Sequence, residues 1–151
     1  MTLRLVLDTN VWLDWLVFDD AGVAPLKAAV AAGGAQIFID DACAGELTAV
    51  LAYPLRKQIL GVDAQAACIA ECRRVAQNIT AQFTDVAAGT EPLPKCRDAD
   101  DQKFLELARA CRADFLVTRD LMLLELSRRK VRRTPFAIVT PAQLMPALAT
   151  R

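Results

Sequence analysis

In LRLVLDTNVWLDWL, Leu3 to Leu16, an apolar run stops abruptly on an acid. Residues 3 to 8 have the pattern of a short buried strand, and residues 11 to 18 that of a helix following a turn at Thr9 and Asn10. An ionised carboxylate at the end of a buried strand is costly unless hydrogen bonds, an opposite charge or a metal compensates it. What Asp8 is for therefore depends on what else converges there.

Working outward, an Ala-rich segment from Ala21 to Ala32 reads as a second helix, stopped by Gly33 and Gly34. AQIFID, Ala35 to Asp40, is the next strand. A helix from about Ala42 to Tyr53 carries Cys43, Leu47, Val50 and Leu51 on one face before Pro54. Leu55 to Asn78 is helical in composition, with Asp63 a cap at its middle break, and AQFTDV around Phe83 is a strand candidate. Gly89 to Cys96 reads as a loop. There follow a helix from about Ala99 to Arg112, the strand DFLVT from Asp114, a helix from Leu121 to about Ser127, the strand FAIV from Phe136 and a last helix near Pro141. Short apolar strands alternating with helices imply an α/β protein with a parallel sheet covered on both faces.

The 151 residues suit a single domain spanning 1–151. Apolar residues make up 54% and charged residues 24%, a globular balance that excludes a disordered chain. Lys plus Arg equals Asp plus Glu at 18 each, so a site for a polyanion has to be local. Cys43, Cys68, Cys72, Cys96 and Cys111 are odd in number and include no CxxC pair, which reads as reduced core thiols. Asp8, Asn10 and Asp14 interrupt the N-terminal apolar stretch and no membrane-length apolar run occurs, so a cytoplasmic location without membrane contact is expected.

In an open parallel sheet, ligands bind outside the carboxyl ends of the strands. Four acids are expected at that edge: Asp8 at the end of the first strand, Glu46 early in the helix after the second, Asp101 in the first turn of DADDQKFLELARAC, and Asp120 directly after DFLVT. Phe104, Ala108 and Cys111 mark the buried face of the third acid's helix; Asp101 lies in line with them, while Asp100 is turned away by about 100°. Asp98 is placed to cap that helix. Each acid alone has an ordinary use: an Asx turn for Asp8, a solvated helix position for Glu46, capping for Asp98 to Asp101 and for Asp120. Together, carboxylates clustered at one edge repel unless a cation neutralises them.

An all-oxygen donor set suits Mg2+ or Mn2+, whereas zinc favours His or Cys. The chain has no histidine, which excludes imidazole-based acid–base chemistry and His-paired nucleophiles. Metal-assisted attack of water on a phosphodiester remains.

LVLDTNV from Leu5, GEL at Gly45 to Leu47, RDADDQKFLELA from Arg97 and FLVTRD from Phe115, in that order over nearly the whole chain, resemble the motifs of PIN-domain nucleases, in particular the VapC-like toxin components of toxin/antitoxin pairs. The resemblance implies a three-layer α/β/α sandwich with a central parallel sheet and a metal-dependent endoribonuclease site. By position it assigns the acidic quartet to Asp8, Glu46, Asp101 and Asp120, with Asp8, Asp101 and Asp120 holding Mg2+ or Mn2+. Asn10 and Thr118 become supporting polar residues and Asp98 an additional acid behind the ligands. It further implies a homodimer and a cognate antitoxin protein. GEL is the shortest of the motifs, so Glu46 rests on the least sequence.

For RNA, the tract RRKVRR, Arg128 to Arg133, is the more basic cluster, but the helix after Asp120 leads away from the acidic edge, some 12 Å by Arg128 at ~1.5 Å per residue. Arg56 and Lys57, which follow the helix bearing Glu46, are the better placed phosphate contacts. Trp12 and Trp15 are expected in the core or an interface rather than stacked on bases, and Asp14 is expected to be silent. Two other readings stay open. One is a catalytically silent PIN-like module that binds RNA or protein. The other is an aspartyl-phosphate phosphatase or receiver-like domain, although Asn10 stands where the phosphatase pattern wants an acid.

Overall fold

A computed structural model of the protein describes residues 2–79, 93–129 and 134–149. Five parallel strands, β1 (Leu3–Leu7), β2 (Ala35–Asp40), β3 (Ala76–Ile79), β4 (Phe115–Val117) and β5 (Ala137–Val139), form one sheet in the order β3-β2-β1-β4-β5. The helices are α1 (Thr9–Leu16), α2 (Ala24–Ala31), α3 (Asp41–Leu51), α4 (Val62–Val75), α5 (Gln102–Ala110), α6 (Leu121–Leu126) and α7 (Pro141–Ala149). Successive strand residues point to opposite faces. Leu5, Val6 and Leu7 in β1 and Ile37, Phe38 and Ile39 in β2 are all buried, so helices cover both faces and the expected α/β/α layering is present.

The register follows from this two-sided burial. Leu5 pairs with Ile37 on one side and Phe115 on the other, and Val6 with Phe38 and Leu116. Trp12 and Trp15 are buried, with ring centroids 5.8 Å apart, and belong to the core beneath α1. Their burial removes them as stacking platforms for bases. The five cysteines are free, four of them buried and Cys68 half-buried, as thiols filling apolar space.

Several elements depart from expectation. Helix α1 opens at Thr9, directly behind Asp8, so Thr9 and Asn10 are its first turn and not a preceding turn. The segment read as helical from Leu55 to Asn78 is helical only over α4. Leu55 and Gln58 close a tight turn, with Arg56 at φ 54° after Pro54, and the cap of α4 is Gly61, leaving Asp63 in the first turn. The end of that segment, AQNI, is the edge strand β3, paired with β2 from Ile37↔Ala76 to Asp40↔Ile79. The strand candidate around Phe83 lies outside the described residues. The second helix begins as a 3-10 turn at Ala21–Val23 and ends at Gly33, whose φ of 81° favours glycine.

Candidate active site

The strand order reverses at β1: the chain first builds β2 and β3 on one side, then crosses to β4 on the other. The crevice beyond the carboxyl ends of β1 and β4 is therefore the switch point at which open α/β sheets bind ligands. Asp8 emerges there from β1, its amide donating to Val117 O at 2.9 Å, and Thr118 to Asp120 emerge from β4.

Asp8 is buried, at 4% exposure, and its carbonyl oxygen accepts the Val11 and Trp12 amides that start α1. Its side chain does not cap the helix. Instead Oδ2 accepts the Thr118 hydroxyl at 2.7 Å, and the same hydroxyl oxygen accepts the Asp120 amide at 2.9 Å. Thr118, itself fully buried, thus ties the ends of β1 and β4 together. Asp120 caps α6 by accepting the Met122 amide at 2.8 Å through Oδ1.

The third acid arrives on α5. Asp98 caps the 3-10 turn at Ala99–Asp101 by accepting the Asp100 amide at 3.0 Å. Asp100 is exposed and Asp101 buried at 9%, in phase with Phe104, Ala108 and Cys111. Asp101 Oδ2 is shielded from solvent without a hydrogen-bond partner. Burial, contact with the Asp120 carboxyl, and the charges of Asp120, Asp8 and Asp98 push the Asp101 carboxyl up to about 7. Burial also raises Asp8; the Thr118 hydroxyl and Thr9 amide oppose this, and the charges of Asp120 and Glu46 reinforce it. Asp8 thus feels the charges of Asp120 and Glu46, and Asp101 those of Asp120, Asp8 and Asp98, which places these acids in one region of the sheet edge.

Glu46, half-buried on the sixth residue of α3, is held differently. Its Oε1 accepts from Lys103 Nζ at 2.7 Å and its Oε2 accepts from the Thr9 hydroxyl. Lys103 also donates to Asp100 O. Burial works against the Lys103 ammonium, but the hydrogen bond and charge of Glu46 outweigh it and raise its pKa. Thr9 and Lys103 escape a reading by motif acids alone, although each is a neighbour in sequence of one of them. Asn10, one residue beyond Thr9, is exposed.

Arg119 turns away from this cluster. Its Nε lies 2.7 Å from Asp14 Oδ2 and its Nη2 3.1 Å from Asp20 Oδ2. Asp14 is buried at 5% and pairs with Arg119 apart from the four acids, which gives it a part in the packing of α1. Burial raises its pKa, the Arg119 charge lowers it, Asp20 raises it, and Arg56 lowers it from 4.0 Å away. Arg56 is engaged within the chain as well, its guanidinium carbon 3.7 Å from the Phe18 ring centroid, yet 65% of its side chain remains exposed. Lys57 is exposed; of the RRKVRR tract, Arg128 and Arg129 are described and exposed.

The carboxylates of Asp8, Asp101 and Asp120 and the Thr118 hydroxyl are hard oxygen donors of the kind a divalent cation takes, and Asp101 Oδ2 is buried without a hydrogen-bond partner. As the side chains lie, no group of three or more acids or thiols among the described residues stands at coordination geometry. Two of the four acids are occupied, Asp120 as a cap and Glu46 by Thr9 and Lys103.

An open parallel α/β fold with an acidic crevice at its switch point defines the class of protein. The model of the PIN domain matches residues 4–122, and the chain belongs to the PIN-domain family. Members of that family are generally nucleases. A chain in the crystal structure of VapBC2 from Rickettsia felis, bound to a DNA fragment from their promoter, has a similar fold, with TM-score 0.56 and 14% identity over 91% of this chain and 98% of that one. PAE2754 from Pyrobaculum aerophilum gives TM-score 0.56 and 14% identity over 99% and 91%. At these identities the likeness is one of fold. No curated protein matches the chain. No helix among the described residues is long and apolar enough to cross a membrane.

Proposed function

We propose that the protein is a Mg2+- or Mn2+-dependent endoribonuclease, the toxin of a toxin/antitoxin pair acting in the cytoplasm. The observation that carries this reading is the buried Asp101 oxygen without a hydrogen-bond partner, set beside Asp8 and Asp120, with burial and neighbouring charge raising the Asp8 and Asp101 carboxyls. Asp8, Asp101 and Asp120 would hold the ion. A bound divalent cation supplies a polarised phosphodiester and an activated water.

The chain's own part is to orient and to exclude. The Thr118 hydroxyl fixes Asp8 Oδ2, and the same residue fixes the Asp120 backbone. Asp101, on the Asp98-capped turn that leads into α5, brings a buried oxygen without a hydrogen-bond partner. Arg56 and Lys57 remain the proposed phosphate contacts, and Asp98 a support behind Asp101. A homodimer and an antitoxin are part of the proposal; the VapBC2 complex supports the second.

The test is a mixed RNA pool incubated with the protein and Mn2+, with EDTA and Asp101→Asn as controls and the cut ends sequenced. Cleavage that needs both the ion and Asp101 supports the reading. Mn2+ binding without cleavage of any RNA would favour the silent module, for which the occupied Glu46 and Asp120 speak. Membership of the PIN-domain family removes the footing of the aspartyl-phosphate alternative.

A further inference from the structure

The carboxylates at the crevice divide into two unlike sets. Both oxygens of Glu46 are engaged, Oε1 by Lys103 Nζ at 2.7 Å and Oε2 by the Thr9 hydroxyl. Lys103 is anchored a second time on Asp100 O and lies 5.1 Å from the Phe104 ring centroid. The pair is mostly shielded, at 23% and 26% side-chain exposure. Asp8 by contrast accepts the Thr118 hydroxyl on Oδ2, with the Thr9 amide also acting on its carboxyl, Asp120 accepts the Met122 amide on Oδ1, and Asp101 Oδ2 has no hydrogen-bond partner; among the described residues none of the three is paired with an ammonium as Glu46 is. Arg119, the other cation close by in sequence, is committed to Asp14 and Asp20.

The local geometry explains the division. Asp101 and Lys103 are two positions apart at the start of α5, and two helical positions differ by about 200° in direction. Asp101 can therefore face β1 and β4 while Lys103 reaches across to α3, where Glu46 sits. One turn of helix delivers an acid to one half of the crevice and an ammonium to the other.

We propose that Lys103 is the resident counter-cation of Glu46 and thereby limits the crevice to one divalent ion, held by Asp8, Asp101 and Asp120. A second ion would need the Glu46 oxygens that Thr9 and Lys103 occupy. The inference rests on the reading of the crevice as a divalent-cation site and assigns its capacity.

The experiment counts Mn2+ bound per chain by equilibrium dialysis, with the free ion read by electron paramagnetic resonance. The wild type should bind one ion, Lys103→Met two, and Lys103→Arg, which keeps the charge, one. Glu46→Gln should bind one ion with an affinity close to that of the wild type. A count of two in the wild type, a count unchanged in folded Lys103→Met, or a loss of about tenfold or more in Glu46→Gln, as expected for a residue that supports the ion, would overturn the proposal while leaving the cation site standing. A wild-type count of zero would overturn both. An ion pair that merely braces α3 against α5 would lower the melting temperature of Lys103→Met without raising its count. If Lys103→Met does not fold, the wild-type count and the Glu46→Gln affinity still decide.

Discussion

Asp100 and Asp101 are adjacent, identical in chemistry and opposite in circumstance: one is exposed, the other buried beside two further carboxyls. Asp101→Asn should therefore lower Mn2+-dependent cleavage by a hundredfold or more, about 3 kcal/mol of transition-state stabilisation, while Asp100→Asn stays near the wild-type rate. Equal losses in the two would contradict the assignment. The same residue gives a pH dependence. The Asp101 carboxyl is raised from 3.8 to about 7 in the folded chain, so the folded state binds its proton more tightly than the unfolded state does. Its contribution to stability is full below about pH 4 and is lost as pH rises through about 7. The metal-free protein should melt progressively lower across that window, and Asp101→Asn should flatten the slope and melt higher near pH 8, by about 2–4 °C for each kcal/mol relieved. Thermal melts at stepped pH, in EDTA, decide the point; a wild type whose stability rises over the same window would show that ionised Asp101 is stabilised without metal.

At the scale of elements, the β4–α6 connection carries Thr118 toward the crevice and Arg119 away from it. Arg119 bridges Asp14 on α1 and Asp20 at the following turn, so it braces the segment that positions Asp120. Removing it leaves the buried carboxylate of Asp14 with Arg56 at 4.0 Å as its remaining cation among the described residues. Arg119→Ala should cost about 1–3 kcal/mol, the range for an acceptor left unsatisfied in a buried position. Adding Asp14→Asn should recover part of the loss, since it removes the stranded charge. Urea unfolding of the two single variants and the double variant measures this coupling; strictly additive losses would mean that the bridge is inert. Asp114→Asn is the contrasting case. Asp114 is exposed and its Oδ2 accepts the Arg4 amide at 2.8 Å, a bond an Asn oxygen can also accept, so little change is expected.

For the whole molecule, metal binding and folding are linked through the switch point, because the three proposed ligands come from three separate segments that meet only in the folded chain. Mn2+ at about 100 times its dissociation constant should stabilise the fold by about 2.7 kcal/mol. Differential scanning calorimetry with Mn2+ against EDTA reads this directly, and Asp101→Asn should abolish most of the gain. The reaction makes its own demand on the whole chain, which has no histidine to deprotonate a ribose hydroxyl near neutral pH. Cleavage should therefore use water and leave 5′-phosphate and 3′-hydroxyl ends. A substrate with a single 2′-deoxy nucleotide on the 5′ side of the cut should still be cleaved, more slowly if that hydroxyl is a contact; 2′,3′-cyclic phosphate ends on unmodified RNA would contradict the water mechanism.

Features that repeat along the chain are legible without its fold. Apolar runs of strand length and a helical stripe through Phe104, Ala108 and Cys111 are one-dimensional signals of a sheet covered on both faces, and the acids after Leu7 and Val117 follow from where those strands end. β3 was not legible for the same reason: AQNI has a polar middle, follows α4 without a break and becomes a strand through pairing with β2. Such edge pairing is a contact between distant segments and leaves little trace in local pattern. The tertiary structure alone decided what each charge faces. Asp14 and Asp20 share Arg119, while Glu46 takes the Thr9 hydroxyl and shares Lys103 with a backbone oxygen. The physical reason is that burying a charge depends on what lies within a few ångströms, and folding brings those neighbours from anywhere in the chain.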